Sequence, residues 1–112
     1  MKILNRKEFM KLPAGVLYLT TDSAGKSPEI MIKGATIYDN LGNPIDWATC
    51  SPLMVGYDID PDLYQQSGQS VWVDVECYGR DGLFDDTIFY FVLEKYDLEQ
   101  LENVILRAKL IS

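Results

Sequence analysis

Three carboxylates, Asp58, Asp60 and Asp62, stand at alternate positions in the stretch YDIDPDLYQQSGQ, residues 57 to 69. They fit the first three ligand positions of a twelve-residue calcium loop, in which carboxylate oxygens converge on a hard cation. Such a loop also needs a glycine at its sixth position and a bidentate glutamate at its twelfth. Leu63 and Gln69 stand there instead, and Pro61 stiffens the middle. The stretch is therefore expected to be a solvated turn whose Asp side chains bond nearby backbone, with no metal ligands and no cofactor. A second pair, Asp74 and Glu76, would lie about 7 Å apart on one strand face. Glycosidase-like acid and nucleophile pairs need roughly 5 to 9.5 Å, so a carboxylate-dependent hydrolase is the third-ranked reading. A half-exposed strand of an acidic protein carries such residues without doing chemistry, and no catalytic residue is assigned.

The chain contains no histidine. That absence removes Ser-His-Asp and Cys-His catalysis, His-based metal sites and the usual general base near neutral pH. Cys50 and Cys77 show no Cys-x-x-Cys spacing, so neither a zinc knuckle nor a redox motif is present; buried thiols are expected, with a disulfide as the alternative for a secreted chain. GKS at 25 to 27 and GRDG at 79 to 82 lack the spacing of phosphate-binding glycine loops. The formal net charge of −7 opposes diffuse binding to the polyanionic backbone of nucleic acid. It suits solubility, or an acidic surface that imitates a phosphate backbone towards a basic partner protein.

What remains is a set of amphipathic aromatic residues: Tyr18, Tyr38, Trp47, Tyr57, Tyr64, Trp72 and Tyr78. Rings of this kind stack on nucleobases or anchor protein interfaces while keeping a polar tip wet, with core packing accounting for about half of them. Lys33 and Arg80 fall near strand ends, where they could reach a phosphate or carboxylate of a small ligand. The candidate ligand-binding set is thus Tyr18, Lys33, Trp47, Tyr57, Trp72 and Arg80.

These residues need a scaffold, and 112 residues, 47% apolar and 24% charged, suffice for one globular domain spanning 1–112. The longest apolar run, IFYFVL at 88 to 93, is far shorter than a membrane span, and the N-terminus has no signal-like apolar region. A soluble protein of the bacterial cytoplasm, without membrane contact, is the expectation. Asn5 should cap a short helix, with Glu8 completing a capping box and Pro13 ending it. VLYLTT at 16 to 21 and EIMIKG at 29 to 34 read as a hairpin across the loop at 22 to 28. ATIYDNLGNPIDWATC continues as strand, turn and strand, with the turn at Asn40 to Pro44. Residues 52 to 70 are irregular, with a short helix placed near Asp62 to Gln66. SVWVDVECY alternates as a strand, RDGLFDD at 80 to 86 is a turn built on Asp81-Gly82, and TIFYFVL at 87 to 93 is apolar on both faces.

Asp97 should then cap a C-terminal helix, with Gln100 at its third position and a stripe of Leu98, Leu101, Val104, Ile105 and Ala108 packed on the sheet. Leu106 and Leu110 lie on the other side of that helix and point to a homo-oligomer. The fold class is α+β: a mainly antiparallel sheet of five or six strands, a C-terminal helix packed on it, and a short N-terminal helix.

FMKLPAGVLY at 9 to 18, followed by MIKGATI at 31 to 37, resembles small phage and prophage proteins that open with Phe-x-x-Leu-Pro-x-Gly-x-x-Tyr and continue to a Lys-Gly strand. The resemblance covers about the first third of the chain, and most such proteins have no assigned function. Among those that do, counter-defence is frequent, and that is the setting the resemblance implies. Two functions follow. The first is a non-enzymatic binding protein that sequesters a nucleotide-derived immune signal, its rings sandwiching the base while Lys33 or Arg80 neutralises phosphate. The second is an acidic inhibitor that covers a basic surface on a host defence protein.

Overall fold

The computed structural model describes residues 1–20, 29–52, 54–55, 68, 73–74 and 78–112. The elements run β1 (Lys2–Leu4), α1 (Arg6–Met10), β2 (Leu17–Thr20), β3 (Met31–Tyr38), β4 (Pro44–Cys50), β5 (Met54–Val55), β6 (Val73–Asp74), β7 (Gly79–Arg80), β8 (Tyr90–Val92) and α2 (Lys95–Ile111). Six strands form one sheet in the order β1-β8-β2-β3-β4-β7, and β5 pairs with β6 separately. Every pair is antiparallel. The α+β class and the six-stranded sheet agree with the sequence.

Local chemistry sets the joints. Asn5 accepts the Glu8 N–H at 2.9 Å and so caps α1 as its spacing requires. β3 and β4 meet in a turn where the Asp39 carboxylate takes the N–H groups of Leu41 and Asn43, each at 2.9 Å, and Gly42 adopts φ +81°. Between Lys33↔Thr49 and Thr36↔Trp47 the register shifts, because Gly34 and Ala35 together face Ala48. A Cβ on Gly34 would stand 2.9 Å from the Ala48 Cβ and 3.1 Å from the Tyr78 ring, so only glycine fits the bulge.

β8 is an interior strand, paired with β1 on one side and β2 on the other, which accounts for its apolar character on both faces. Tyr90 and Val92 point into the core with Leu4 and Tyr18, and α1 closes that face with Phe9 and Met10. On the opposite face the registers align Ile3, Phe91 and Leu19 in one row across three strands.

α2 departs from expectation at its start and in its packing. The N-cap is Glu94 rather than Asp97; Asp97 sits one turn inside and accepts the Glu94 N–H at 2.8 Å. The N-terminal amine also reaches Asp97 at 2.8 Å and Glu94 at 3.6 Å. No residue of α2 is buried, and its apolar stripe does not enter the core. The inner face of the sheet takes Phe9 and Met10 of α1 instead.

Candidate functional site

Inside the sheet, Phe9 is the hub of an aromatic cluster. Its ring stacks on Tyr90 at 4.5 Å and 15°, meets Tyr18 at 4.6 Å and abuts Trp47 edge-on at 5.0 Å. Trp47 in turn meets Tyr90 at 5.3 Å, nearly perpendicular. The polar tips of Trp47 and Tyr18 are satisfied: the Trp47 indole N–H donates to the Tyr18 hydroxyl at 3.2 Å, and that hydroxyl shares a 2.6 Å hydrogen bond with Thr49. Burial pushes the Tyr18 and Tyr90 hydroxyls up from their ordinary values.

Three of the expected ligand-binding residues therefore point inward. Tyr18, Trp47 and Lys33 each have 0% exposure, so none offers a surface to a ligand in this structure. The Lys33 ammonium donates to the Thr36 hydroxyl at 2.8 Å and to the Gly34 carbonyl at 3.1 Å, while the Thr36 hydroxyl donates to the Met10 carbonyl at 2.8 Å. Those bonds tie the bulge to the end of α1, and burial holds the Lys33 pKa below the ordinary lysine range. The strand-end position expected for Lys33 is thus an interior one, because the bulge lies beside it. Tyr57 and Trp72 lie outside the described residues, as do Asp58, Asp60, Asp62, Glu76, Cys77, the loop at 22 to 28 and the short helix near Asp62. Cys50 is buried.

Among the described residues of the expected set, Arg80 is the one that reaches the surface, with half of its side chain exposed. Its Nε donates to the buried Asp46 carboxylate at 2.5 Å, and the Gly82 N–H approaches both oxygens of that carboxylate at 3.1 and 3.2 Å. Burial alone would raise the Asp46 pKa. The bonds from Arg80, the Trp47 backbone and Gly82, with the Arg80 charge, outweigh it and hold the carboxyl below the usual range. Asp46 thereby fixes the start of the loop that joins β7 to β8. The Asp81 N–H continues the ladder to the Trp47 carbonyl at 3.0 Å, and Asp85 closes the other end by accepting the Thr87 N–H at 2.9 Å and its hydroxyl at 2.6 Å. Asp81 shifts upward, first through burial and then through the nearby Asp46 charge.

At the tip of this loop Phe84 adopts φ +51°, a left-handed conformation that is uncommon for a bulky side chain. Its ring is 54% exposed, and Leu83 beside it is 64% exposed. Two guanidinium groups hold the ring, Arg6 at 5.5 Å and Arg80 at 5.6 Å from its centroid. Arg6 is itself buried, lies 5.6 Å from the Trp47 ring, donates to the Ile45 carbonyl and pairs with Asp86 at 3.6 Å. Its Nε is buried without a hydrogen-bond partner among the described residues. A loop tied at both ends thus displays two apolar side chains and the outward Asp86 carboxylate on an arginine-braced base.

Arg6, Asp46 and Phe84 were not among the sequence candidates. A connection between two strands was legible at Asp81-Gly82, although the turn itself falls at Asp86 and Thr87, and nothing in the local pattern ties Phe84 to an arginine near the other end of the chain. Among the described residues no group of three or more Cys, Asp or Glu side chains is placed to hold a metal ion, and no helix is long and apolar enough to cross a membrane. No family model matches the chain, and neither a curated protein nor a solved structure matches it.

Proposed function

We propose that the protein is a non-enzymatic binding protein that covers a basic surface on another protein, with the 81–87 loop as its contact. Phe84 is the anchor: an exposed ring whose backbone strain and two cation–π contacts keep it presented instead of collapsed onto the sheet. Asp86 supplies an acidic rim beside it, and the net charge of −7 favours encounter with a basic partner. In the phage setting that the N-terminal pattern implies, that partner is a host defence protein.

This reading stands ahead of nucleotide sequestration because Tyr18, Lys33 and Trp47, half of the contacts sequestration would use, are enclosed by their own neighbours. Affinity capture from a bacterial lysate separates the two when the wild type is run beside Phe84→Ala and followed by a thermal-shift panel of cyclic and linear nucleotides. The expected result is a basic protein retained by the wild type and weakened by about 2 kcal/mol, roughly thirtyfold, in Phe84→Ala, with no nucleotide raising the melting temperature. Retention indifferent to Phe84→Ala, or selective stabilisation by one nucleotide, would overturn the reading.

A further inference from the structure

α2 carries an apolar stripe that no described residue of the chain buries. Leu98, Leu101, Val104, Ile105, Ala108 and Ile111 occupy about 140° of its circumference at helical spacing. A stripe of that width ordinarily faces a core, yet Val104, Ile105 and Ile111 are 53, 58 and 90% exposed, and Leu101 is only half-buried. The inner face of the sheet is already occupied by α1, so the stripe has no intramolecular place there.

We propose that α2 pairs antiparallel with α2 of a second copy of this chain, independently of what the 81–87 loop binds. The stripe is self-complementary about a two-fold axis between Val104 and Ile105. Around that axis Leu98 meets Ile111 of the partner subunit, Leu101 meets Ala108 of the partner subunit, and Val104 meets Ile105 of the partner subunit. Charge selects the direction. The first half of the helix carries Asp97, Glu99 and Glu102 against Lys95 alone, and the second half carries only the basic Arg107 and Lys109. Antiparallel pairing sets each half against its opposite, whereas parallel pairing sets like against like. On one flank of the stripe Glu102 lies within reach of Lys109 of the partner subunit, because a two-fold axis brings the same flank of both helices together. Leu106, Leu110 and Arg107 line a shallow groove of 480 Å³ with Gln100 and Asn103 on the far side of the helix, outside this contact.

Sedimentation velocity at tens of micromolar tests the pairing, with far-UV circular dichroism as the check on folding. The wild type is expected to be a dimer, Ile105→Glu a monomer with unchanged ellipticity from the sheet, and Leu106→Glu a dimer. Glu102→Lys should weaken association about tenfold, and the double variant Glu102→Lys/Lys109→Glu should restore it. A monomeric wild type, as would follow if α2 folded back onto its own sheet, overturns the proposal. So does a dimer that survives Ile105→Glu, dissociation of Leu106→Glu, or a double charge swap that fails to recover association.

Discussion

The two helices of this chain are both amphipathic, and they meet opposite fates. α1 has five residues, too few to be stable alone, yet it places Phe9 at the centre of the aromatic core. α2 has seventeen residues, a wider apolar stripe and a carboxylate at its first turn, and none of its residues is fully buried. Amphipathicity thus marks a face that seeks cover, while topology decides where cover is found. α1 follows β1 directly and places Phe9 and Met10 on the inner face of the sheet; α2 follows the interior strand β8 and leaves its stripe exposed. Most helical stability in proteins comes from packing an amphipathic face, so the stripe of α2 is where stabilisation remains to be gained.

Removing the ring that α1 covers should give the largest effect. Trp47→Ala deletes a fully buried side chain touching Phe9 and Tyr90 and should lower unfolding stability by about 3 to 5 kcal/mol. Urea titration checks this, and a loss under 1 kcal/mol would mean the cluster is not the core. Next comes the anchor of the loop: Asp46→Asn removes a charge-assisted bond and should cost about 1.5 to 3 kcal/mol at neutral pH. Because the folded Asp46 pKa lies below its unfolded value, this stabilisation is fully present above the ordinary carboxylate value and is lost as pH falls through the folded one. The difference between wild type and Asp46→Asn should therefore shrink in urea titrations below pH ~3.9. A gap that widened on acidification would reverse the assignment.

Gly34→Ala sharpens the same contrast through the backbone, since the added Cβ must displace Ala48 or Tyr78 and should cost about 1 to 3 kcal/mol in thermal unfolding. A neutral outcome would show that the bulge relaxes freely. On α2 the effects should be small: Leu106→Glu changes an exposed position outside the stripe and should stay within about 0.5 kcal/mol. Smallest of all, EDTA should leave the melting curve where it is. A large loss would return attention to Asp58, Asp60 and Asp62.

The sequence carried the sheet because hairpin signals are local. Asn5 and Glu8 announced α1, Asn40 to Pro44 announced the β3–β4 turn, which in the structure closes on Asp39 with Pro44 already in β4, and the two-sided apolar run announced an interior β8. β1 was missed, since Lys2–Leu4 is too short to show a period and is a strand only through its pairing with β8. Asp97 was read as the cap of α2 because Asp is the stronger cap residue, whereas the Glu94 N–H needed the Asp97 carboxylate one turn inside. The site was less legible for a related reason. An amphipathic ring such as Trp47 looks the same in sequence whether its N–H meets water or the Tyr18 hydroxyl, and the bulge that turns Lys33 inward exists only after β3 and β4 have paired.

Whether the conspicuous rings are spent inside the molecule is best measured on Trp47 itself. In a Trp72→Phe background, Trp47 is the sole tryptophan, and its fluorescence reports its surroundings directly. Blue-shifted emission, resistant to acrylamide quenching and unchanged by every nucleotide in the panel, is expected of a ring enclosed by Phe9, Tyr18 and Tyr90. Red-shifted emission that acrylamide quenches readily, or quenching by a nucleotide, would contradict the enclosed core and return Trp47 to the binding surface.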